Sequence, residues 1–444
     1  MTRHTDLAEL VLDLVSDRAD AEVLVGVGTS SLTRFANSFI HQNVSEDVSE
    51  VMLRVATADG RIASSTSTVP NRDALSRFVD DTLEVAGQQP IDKDWPGFGG
   101  PVTGQDVDHW DEATAAADPT DRAQVVKAFV DAGGGLLAAG YCETVARDHA
   151  YANTEGRSVT ARYTTAVLDG IHQTDRSAGS GHTAGRSLAA LEAHETGAAA
   201  AKRARDSVDA FDAKPGEFEV VLSPECLATI AVFLDVYGFN AKVAQEGMSF
   251  VDVGTHQFDP SVNLWDDATD PRALHIGFDT EGTPKGRVDM VKAGITAGLV
   301  HNRRTAAKAG TESTGHAGPG SEVWGPFAMN VFVGGGETDV EDLIGGVDRG
   351  IYVSTFNYCR VLDPKSLVVT GLTRNGTFMI ENGRITHPVS NMRFTQSFVG
   401  ALGPEKVLGI GNDARFADSE FGPLIVHAPS MRLASWNFTG GAAG

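Results

Sequence analysis

Residues 223–250 read SPECLATIAVFLDVYGFNAKVAQEGMSF. Pro224 suits the first turn of a helix, where a missing N–H costs nothing, and Ser223 before it suits an N-cap. The apolar run that follows predicts a buried helix ending near Gly238. Its most apolar part, Cys226 to Leu234, falls far short of the ~20 residues that a membrane span needs. No histidine lies between His194 and His256. A buried helix without histidine holds no helical zinc site, because such a site needs two ligands on one face.

The rest of the composition narrows the function classes. The chain has 444 residues, enough for two domains at roughly 100–200 residues each. Its hydrophobic content of 41% and charged content of 21% are those of a soluble globular protein. The net charge of −23 repels phosphate backbones and anionic lipid, so neither nucleic acid nor a membrane is an expected partner. Cys142, Cys226 and Cys359 are far apart and odd in number, which suggests no disulfide framework and fits a reducing, cytoplasmic compartment. Near the N-terminus, Leu7, Leu10, Val11, Leu14 and Val15 follow helical spacing and do not read as a signal peptide.

Outward from the opening stretch, the chain reads as two regions. The first predicts a helix over 6–18, strands over 22–27, 31–43 and 48–57, and a hairpin turn at Asp59-Gly60. Leu75, Phe78, Val79 and Leu83 mark the next helix, residues 89–104 a Pro- and Gly-rich loop, and 120–132 another helix. Strands follow at 136–147 and 157–169, then one Ala-rich helix over 184–210. Asp212 to Gly216 is the expected boundary. Beyond it the chain is rich in strands, with a hairpin at Asn382-Gly383. The expectation is an α+β fold: an N-terminal α/β domain with a mixed sheet over 1–212, then a strand-rich C-terminal domain with short helices over 217–438. Residues 439–444 are expected to be a disordered tail.

Chemistry-bearing patterns are sparse. The thirteen histidines never fall three to five residues apart, and His194-Glu195 has Ala198 where HExxH needs its second histidine. Cys226 sits where a helix dipole lowers a thiol pKa, opposed by Glu225, and reads better as a buried hydrophobe. Ser180-Gly181-His182 and Ser313-Thr314-Gly315-His316 set a hydroxyl beside a histidine, but adjacency in sequence makes no catalytic pair. Gly334-Gly335-Gly336 and Gly26-Val27-Gly28 lack the GxGxxG pattern and read as turns.

Several segments together resemble the PmbA/TldD family. They are Asp279-Thr280-Glu281-Gly282-Thr283-Pro284, Ser313 to Gly318, Asp348 to Tyr352, Ile380 to Gly383 with Pro388-Val389, Gly411-Asn412-Asp413, and Thr33 to Asn37 with Ile40 and Gln42. The similarity runs along nearly the whole chain, and the Ser313 to Gly318 segment is similar to the TldE-like branch. The resemblance implies a heterodimeric metallopeptidase in which a TldD-like subunit carries HExxxH and a later cysteine ligand, while a TldE-like subunit lacks the metal. Aligned from Ser223, Val232 falls where the first histidine would be, Phe233 at the glutamate, Tyr237 at the second histidine and Gly238 at the glycine after it. No cysteine follows Asn412-Asp413 in ARFADSEFGPLIVHAPS.

The resemblance therefore implies a non-catalytic TldE-like subunit with no cofactor of its own. The zinc would reside in a TldD-like HExxxH partner, and the two would enclose an unfolded peptide substrate. Val232, Phe233 and Tyr237 are the lost motif positions. Ser313, Thr314, His316, Asp279, Glu281, Tyr237 and Gly238 are the candidates for substrate or interface contacts. Two alternatives stand beside this reading. One is a metal-independent hydrolase using Cys226, His316 or the carboxylates Asp279 and Glu281. The other is a self-associating binding protein, a homodimer when alone.

Overall fold

The computed structural model describes residues 4–104, 107–420 and 424–441. The first region is built on hairpins. Strands β1 (Asp20–Ala36), β2 (Phe39–Ala56) and β3 (Ile62–Ser67) form one arm. Strands β4 (Leu137–Asn153), β5 (Ser158–Gln173) and β6 (Ala178–Gly185) form the other. They join in a six-stranded sheet of order β3-β2-β1-β4-β5-β6. Every neighbouring pair is antiparallel, so the expected mixed sheet is corrected to an antiparallel one. Sequential hairpins need no crossover, which removes the reason for parallel pairs.

Helices cover one face of the sheet in two groups. α1 (His4–Val15) buries Leu7, Ala8, Val11 and Val15, and α2 (Arg72–Gln88) buries Leu75, Val79 and Ala86. Both pack on β1–β3 around Val23, Val25, Leu53 and Val55. Short α3 (Glu112–Ala115) leads to α4 (Pro119–Ala132), whose Asp118 and Asp121 form a reciprocal capping box. α4 and α5 (Ala193–Asp206) pack over the other arm around Phe35, Phe129, Leu168 and Ala200.

Two sequence readings fail here. No break separates the strands expected at 22–27 and 31–43, because β1 runs through to Ala36; the second instead straddles the turn at Asn37-Ser38, and its residues 39–43 belong to β2. Gly26 and Gly28 lie inside it, and a Cβ on Gly28 would sit 2.0 Å from the Ala146 carbonyl oxygen of β4. The helix expected over 184–210 is replaced by the end of β6, a short 3₁₀ turn over Leu188–Ala190, and α5.

From Gly216 onward the chain forms two further sheets. The first holds β8 (Leu264–Asp266), β9 (Val288–Lys292), β10 (Ile295–Thr296), β11 (Val331–Val333), β17 (Arg415–Asp418) and β18 (Ile425–Ala428), with one parallel pair, β11 with β18. The second holds β7 (Gly216–Leu222), β12 (Arg349–Asp363), β13 (Val368–Glu381), β14 (Arg384–Pro388), β15 (Met392–Ser397), β16 (Val407–Ile410) and β19 (Met431–Gly441). Its order is β12-β7-β19-β15-β13-β14, and β12 also pairs with β13, so five strands close into a ring. Closure removes exposed edges. Gly440 and Gly441, expected in a disordered tail, pair with Arg393 and Met392; residues 442–444 of that tail lie outside the described residues.

The opening stretch becomes α6 (Pro224–Leu234), followed by one π turn over Asp235–Phe239 and then α7 (Ala241–Gln245). Every residue of α6 is buried. It packs against β12 of the ring and against β17 and β18 of the other sheet, which is why it can be apolar all round. The α-helix ends at Leu234, not at Gly238. Ser223 does not cap it through its side chain; its hydroxyl instead donates to the Ser354 carbonyl of β12 at 2.5 Å. Among the described residues no helix is long and apolar enough to cross a membrane.

Candidate functional site

α6 carries Val232 and Phe233, two of the positions where the resemblance implies a lost motif, into solid packing. Val232 and Phe233 are 2% and 1% exposed. The Phe233 ring lies 5.7 Å from Tyr237 and 5.8 Å, edge-on, from Phe398. Phe398 continues the aromatic stack into Phe356, Phe394 and Trp436 inside the ring. Tyr237 is partly buried, and that burial raises its phenol pKa, so it stays neutral. Gly238 is a close-approach position: a Cβ there would lie 2.1 Å from the Phe250 ring, and its carbonyl accepts from Ser249 Oγ at 2.8 Å.

The π turn also places a residue that the sequence did not flag. Asp235 is fully buried and accepts from the Ala328 N–H at 2.9 Å, while its other oxygen has no partner. Burial, reinforced by Asp266 nearby, pushes its carboxyl well above the ordinary range. Single-turn π segments inside α-helices are frequent at functional sites.

The other candidates converge on a buried knot beside this turn. The His316 Nε2 meets Asp266 Oδ2 at 3.0 Å, and its Nδ1 meets the Thr314 hydroxyl at 2.9 Å. Both side chains of the His316–Asp266 pair are fully buried. The second Asp266 oxygen accepts from the N–H groups of Met329 (3.0 Å) and Asn330 (2.6 Å). Burial raises the Asp266 carboxyl, but the His316 charge and hydrogen bond, Lys285 and the Asn330 N–H outweigh it and hold it down at about 2. Ser313 Oγ donates to the His301 carbonyl at 3.2 Å.

Asp279 stitches two loops together. Its Oδ1 accepts from the N–H groups of Glu281 (2.9 Å) and Thr283 (2.8 Å), and its Oδ2 from Ala317 N–H at 2.9 Å. Burial and then the Glu281 charge push its carboxyl up to about 7. Glu281 in turn accepts from the Arg303 N–H at 2.9 Å and lies 3.9 Å from Arg54. Five sequence candidates thus meet in space, as a buried hydrogen-bonded joint and not as exposed catalytic groups. Tyr237 and Gly238 stand apart from them on the π turn.

The Asp266–His316 pair carries a pH signature. Asp266 has a depressed folded-state pKa, so its contribution is full above the unfolded value of about 3.9 and is lost as pH falls toward about 2. Asp266→Asn removes the charge and should cost about 3 kcal/mol at neutral pH. Urea denaturation of both proteins should show that deficit at pH 6–7 and a shrinking one below pH 4. A deficit independent of pH would assign the loss to packing instead.

Remaining motifs act structurally. Cys226 is fully buried, its Sγ donates to the Val353 carbonyl at 3.5 Å, and burial raises its thiol pKa well above the ordinary value. His194 and Glu195 are exposed on α5. The Gly334–Gly336 turn is held by the Gly336 N–H donating to Gly411 at 2.8 Å.

The first turns of α6 border a cleft. Glu225 and Thr229, one turn apart and on the same side of the helix as Phe233, line a cleft of about 580 Å³ between the antiparallel sheet and the C-terminal sheets. Glu225 is neutralised there by Arg415 at 2.7 Å. Burial raises the Glu225 carboxyl, but Arg415 and Arg203 overcome it and hold it at about 2.

A buried helix wedged between a closed ring of strands and a mixed sheet, under an antiparallel hairpin sheet, is the architecture of TldE from Thermococcus kodakarensis. The two superpose with a TM-score of 0.87 at 15% identity, over 98% of this chain and 99% of that one, a likeness of fold. The chain belongs to the PmbA/TldD family: residues 215–440 match the family described as PmbA/TldA metallopeptidase C-terminal domain. Among curated relatives, a metalloprotease of Synechocystis is 28% identical over 167 residues, 34% of each chain. A TldD homolog of Haemophilus influenzae, also described as a metalloprotease, is 28% identical over 249 residues, 53% of this chain and 50% of its own. The matched stretch thus spans between a third and a half of these relatives.

Proposed function

We propose that this chain is a non-catalytic, TldE-like subunit of a metallopeptidase. It pairs with a TldD-like subunit that carries HExxxH and zinc, and the two enclose unfolded peptide during cleavage. The observation that carries the reading is the state of α6: Val232 and Phe233, which the resemblance aligns with the family's ligand and base, are buried in apolar packing. Valine and phenylalanine neither coordinate a metal nor move a proton. The TldE structural likeness supports the same assignment. Three free buried cysteines support a reducing, cytoplasmic setting.

The alternative of an independent hydrolase loses its support. Cys226 and His316 are 0% and 1% exposed, and Asp279 and Glu281 are committed to backbone N–H groups. The test mixes the full chain with a HExxxH homologue and assays an unstructured peptide. Neither protein alone should match the mixture, and a chelator should abolish its activity. Full hydrolysis by this chain alone, surviving chelator, would overturn the proposal, and native mass spectrometry showing only self-association would favour the homodimer.

A further inference from the structure

The edges of two sheets meet at the cleft beside α6, and a histidine is stranded there. Asp169 and His182 are direct cross-strand partners on β5 and β6, so their side chains leave the same face. β6 is the last strand of the antiparallel sheet, β17 is the last strand of the six-stranded C-terminal sheet, and the two pack together. β17 ends in Asp418, which completes a group with one ligand atom from each residue, all within 4.8 Å of one another.

The His182 side chain is 5% exposed, yet neither of its ring nitrogens makes a hydrogen bond. Buried polar atoms are nearly always paired, so an imidazole left this way calls for a partner. Its Nδ1 lies 3.4 Å from Asp169 Oδ2 without the direction of a hydrogen bond. Ligands at 2.0–2.1 Å from a tetrahedral zinc stand about 3.3 Å apart, so this spacing is that of two neighbouring ligands.

We propose that Asp169, His182 and Asp418 form a binding site for a divalent cation of the zinc type, clamping the edge of the N-terminal sheet to β17. One imidazole and two carboxylates suit zinc or manganese better than calcium, which prefers an all-oxygen shell. Three protein ligands leave room for water in the cleft. Neighbouring Glu225 is paired with Arg415 through one oxygen, and Glu420 accepts from the Cys359 N–H at 3.0 Å. The site lies outside the lost motif positions and is independent of the subunit proposal.

The test uses the full chain, stripped with chelator and titrated with Zn²⁺, Mn²⁺ and Ca²⁺ by calorimetry, with bound metal counted after dialysis. One Zn²⁺ per chain is expected, with a raised Tm and weaker Ca²⁺ binding. Asp418→Asn, at a partly exposed position, should keep the circular dichroism of the parent and bind Zn²⁺ at least tenfold more weakly. His182→Gln should do the same, and Co²⁺ bound to the parent should lose its nitrogen-ligand absorption in that variant. No saturable Zn²⁺ binding, or binding unchanged in a folded Asp418→Asn chain, would overturn the site and leave a plain ion pair. Failure here would not touch peptidase complementation, which is read separately.

Discussion

Phe233→Glu, which would supply the carboxylate that the proposed subunit reading regards as lost, should unfold the chain rather than equip it. Phe233 is 1% exposed and sits in an aromatic cluster with Tyr237 and Phe398. Removing a buried phenylalanine costs about 3–5 kcal/mol from lost transfer and the cavity left behind. A carboxylate in the same apolar space adds a desolvation penalty. The sum rivals the ~5–15 kcal/mol that holds a whole domain together. Phe233→Leu keeps most of the volume and should lose only about 1–2 kcal/mol.

The pH dependence separates charge from shape. The introduced carboxyl would have a folded-state pKa above its unfolded value. Its penalty should therefore be small below about pH 4 and grow as pH rises through the folded pKa. Urea or thermal denaturation of Phe233→Glu should recover part of the lost stability at pH 4–5, whereas Phe233→Leu should show no such recovery. A stable Phe233→Glu chain at pH 8 would mean that α6 still tolerates a polar pocket, and would weaken the reading of a catalytically silent subunit.

What the sequence revealed depended on whether the decisive contact was local. The turns at Asp59-Gly60 and Asn382-Gly383 and the start of α6 at Pro224 are written in a few adjacent residues, and each stands where expected. Gly26 and Gly28 look like breakers in the sequence, yet β1 runs unbroken through both. Gly28 is there because β4, more than a hundred residues away, approaches too closely for a Cβ. β6 was missed for the same kind of reason. Its AGSGHTAG sequence has no strand signature, and its glycines make room for α5: a Cβ on Gly179 would lie 2.1 Å from the Ala200 carbonyl oxygen. The site followed the same rule. The 279–284 and 313–318 segments were visible as motifs, but their partners Asp266 and Arg54 carry no pattern of their own. Asp235 was hidden within an apolar run whose π turn no local signal announces.

Arg54→Met should be the most damaging single change outside α6, because one guanidinium neutralises carboxylates from both halves of the chain. Arg54 is 4% exposed and sits on β2. It hydrogen-bonds Glu22 of β1, Glu322, and the Ser64 hydroxyl at 3.0 Å, and it lies 3.9 Å from Glu281. Tyr151 donates to the second Glu22 oxygen at 2.7 Å. Burial raises the Glu22 carboxyl and Arg54 draws it back, while Glu281 raises it further. Without the guanidinium, Glu22 and Glu281 lose the cation that lies between them, and Glu22 keeps only the weaker influence of Arg303, a change that costs about 3–5 kcal/mol. Since Glu22 has a raised folded-state pKa, the deficit should be largest at pH 7–8 and shrink as pH falls toward the unfolded value near 4.3. Arg54→Lys should recover only part of the loss, because one ammonium cannot replace a fork that reaches several acceptors at once. Adding Glu22→Gln to Arg54→Met removes one stranded charge and should restore at least about 1 kcal/mol at pH 7. Denaturation curves for the four proteins at pH 5 and pH 8 check this; equal deficits at both pH values, or no gain from Glu22→Gln, would mean that Arg54 acts by packing over Trp95, 5.9 Å away, and not as the shared cation of the joint.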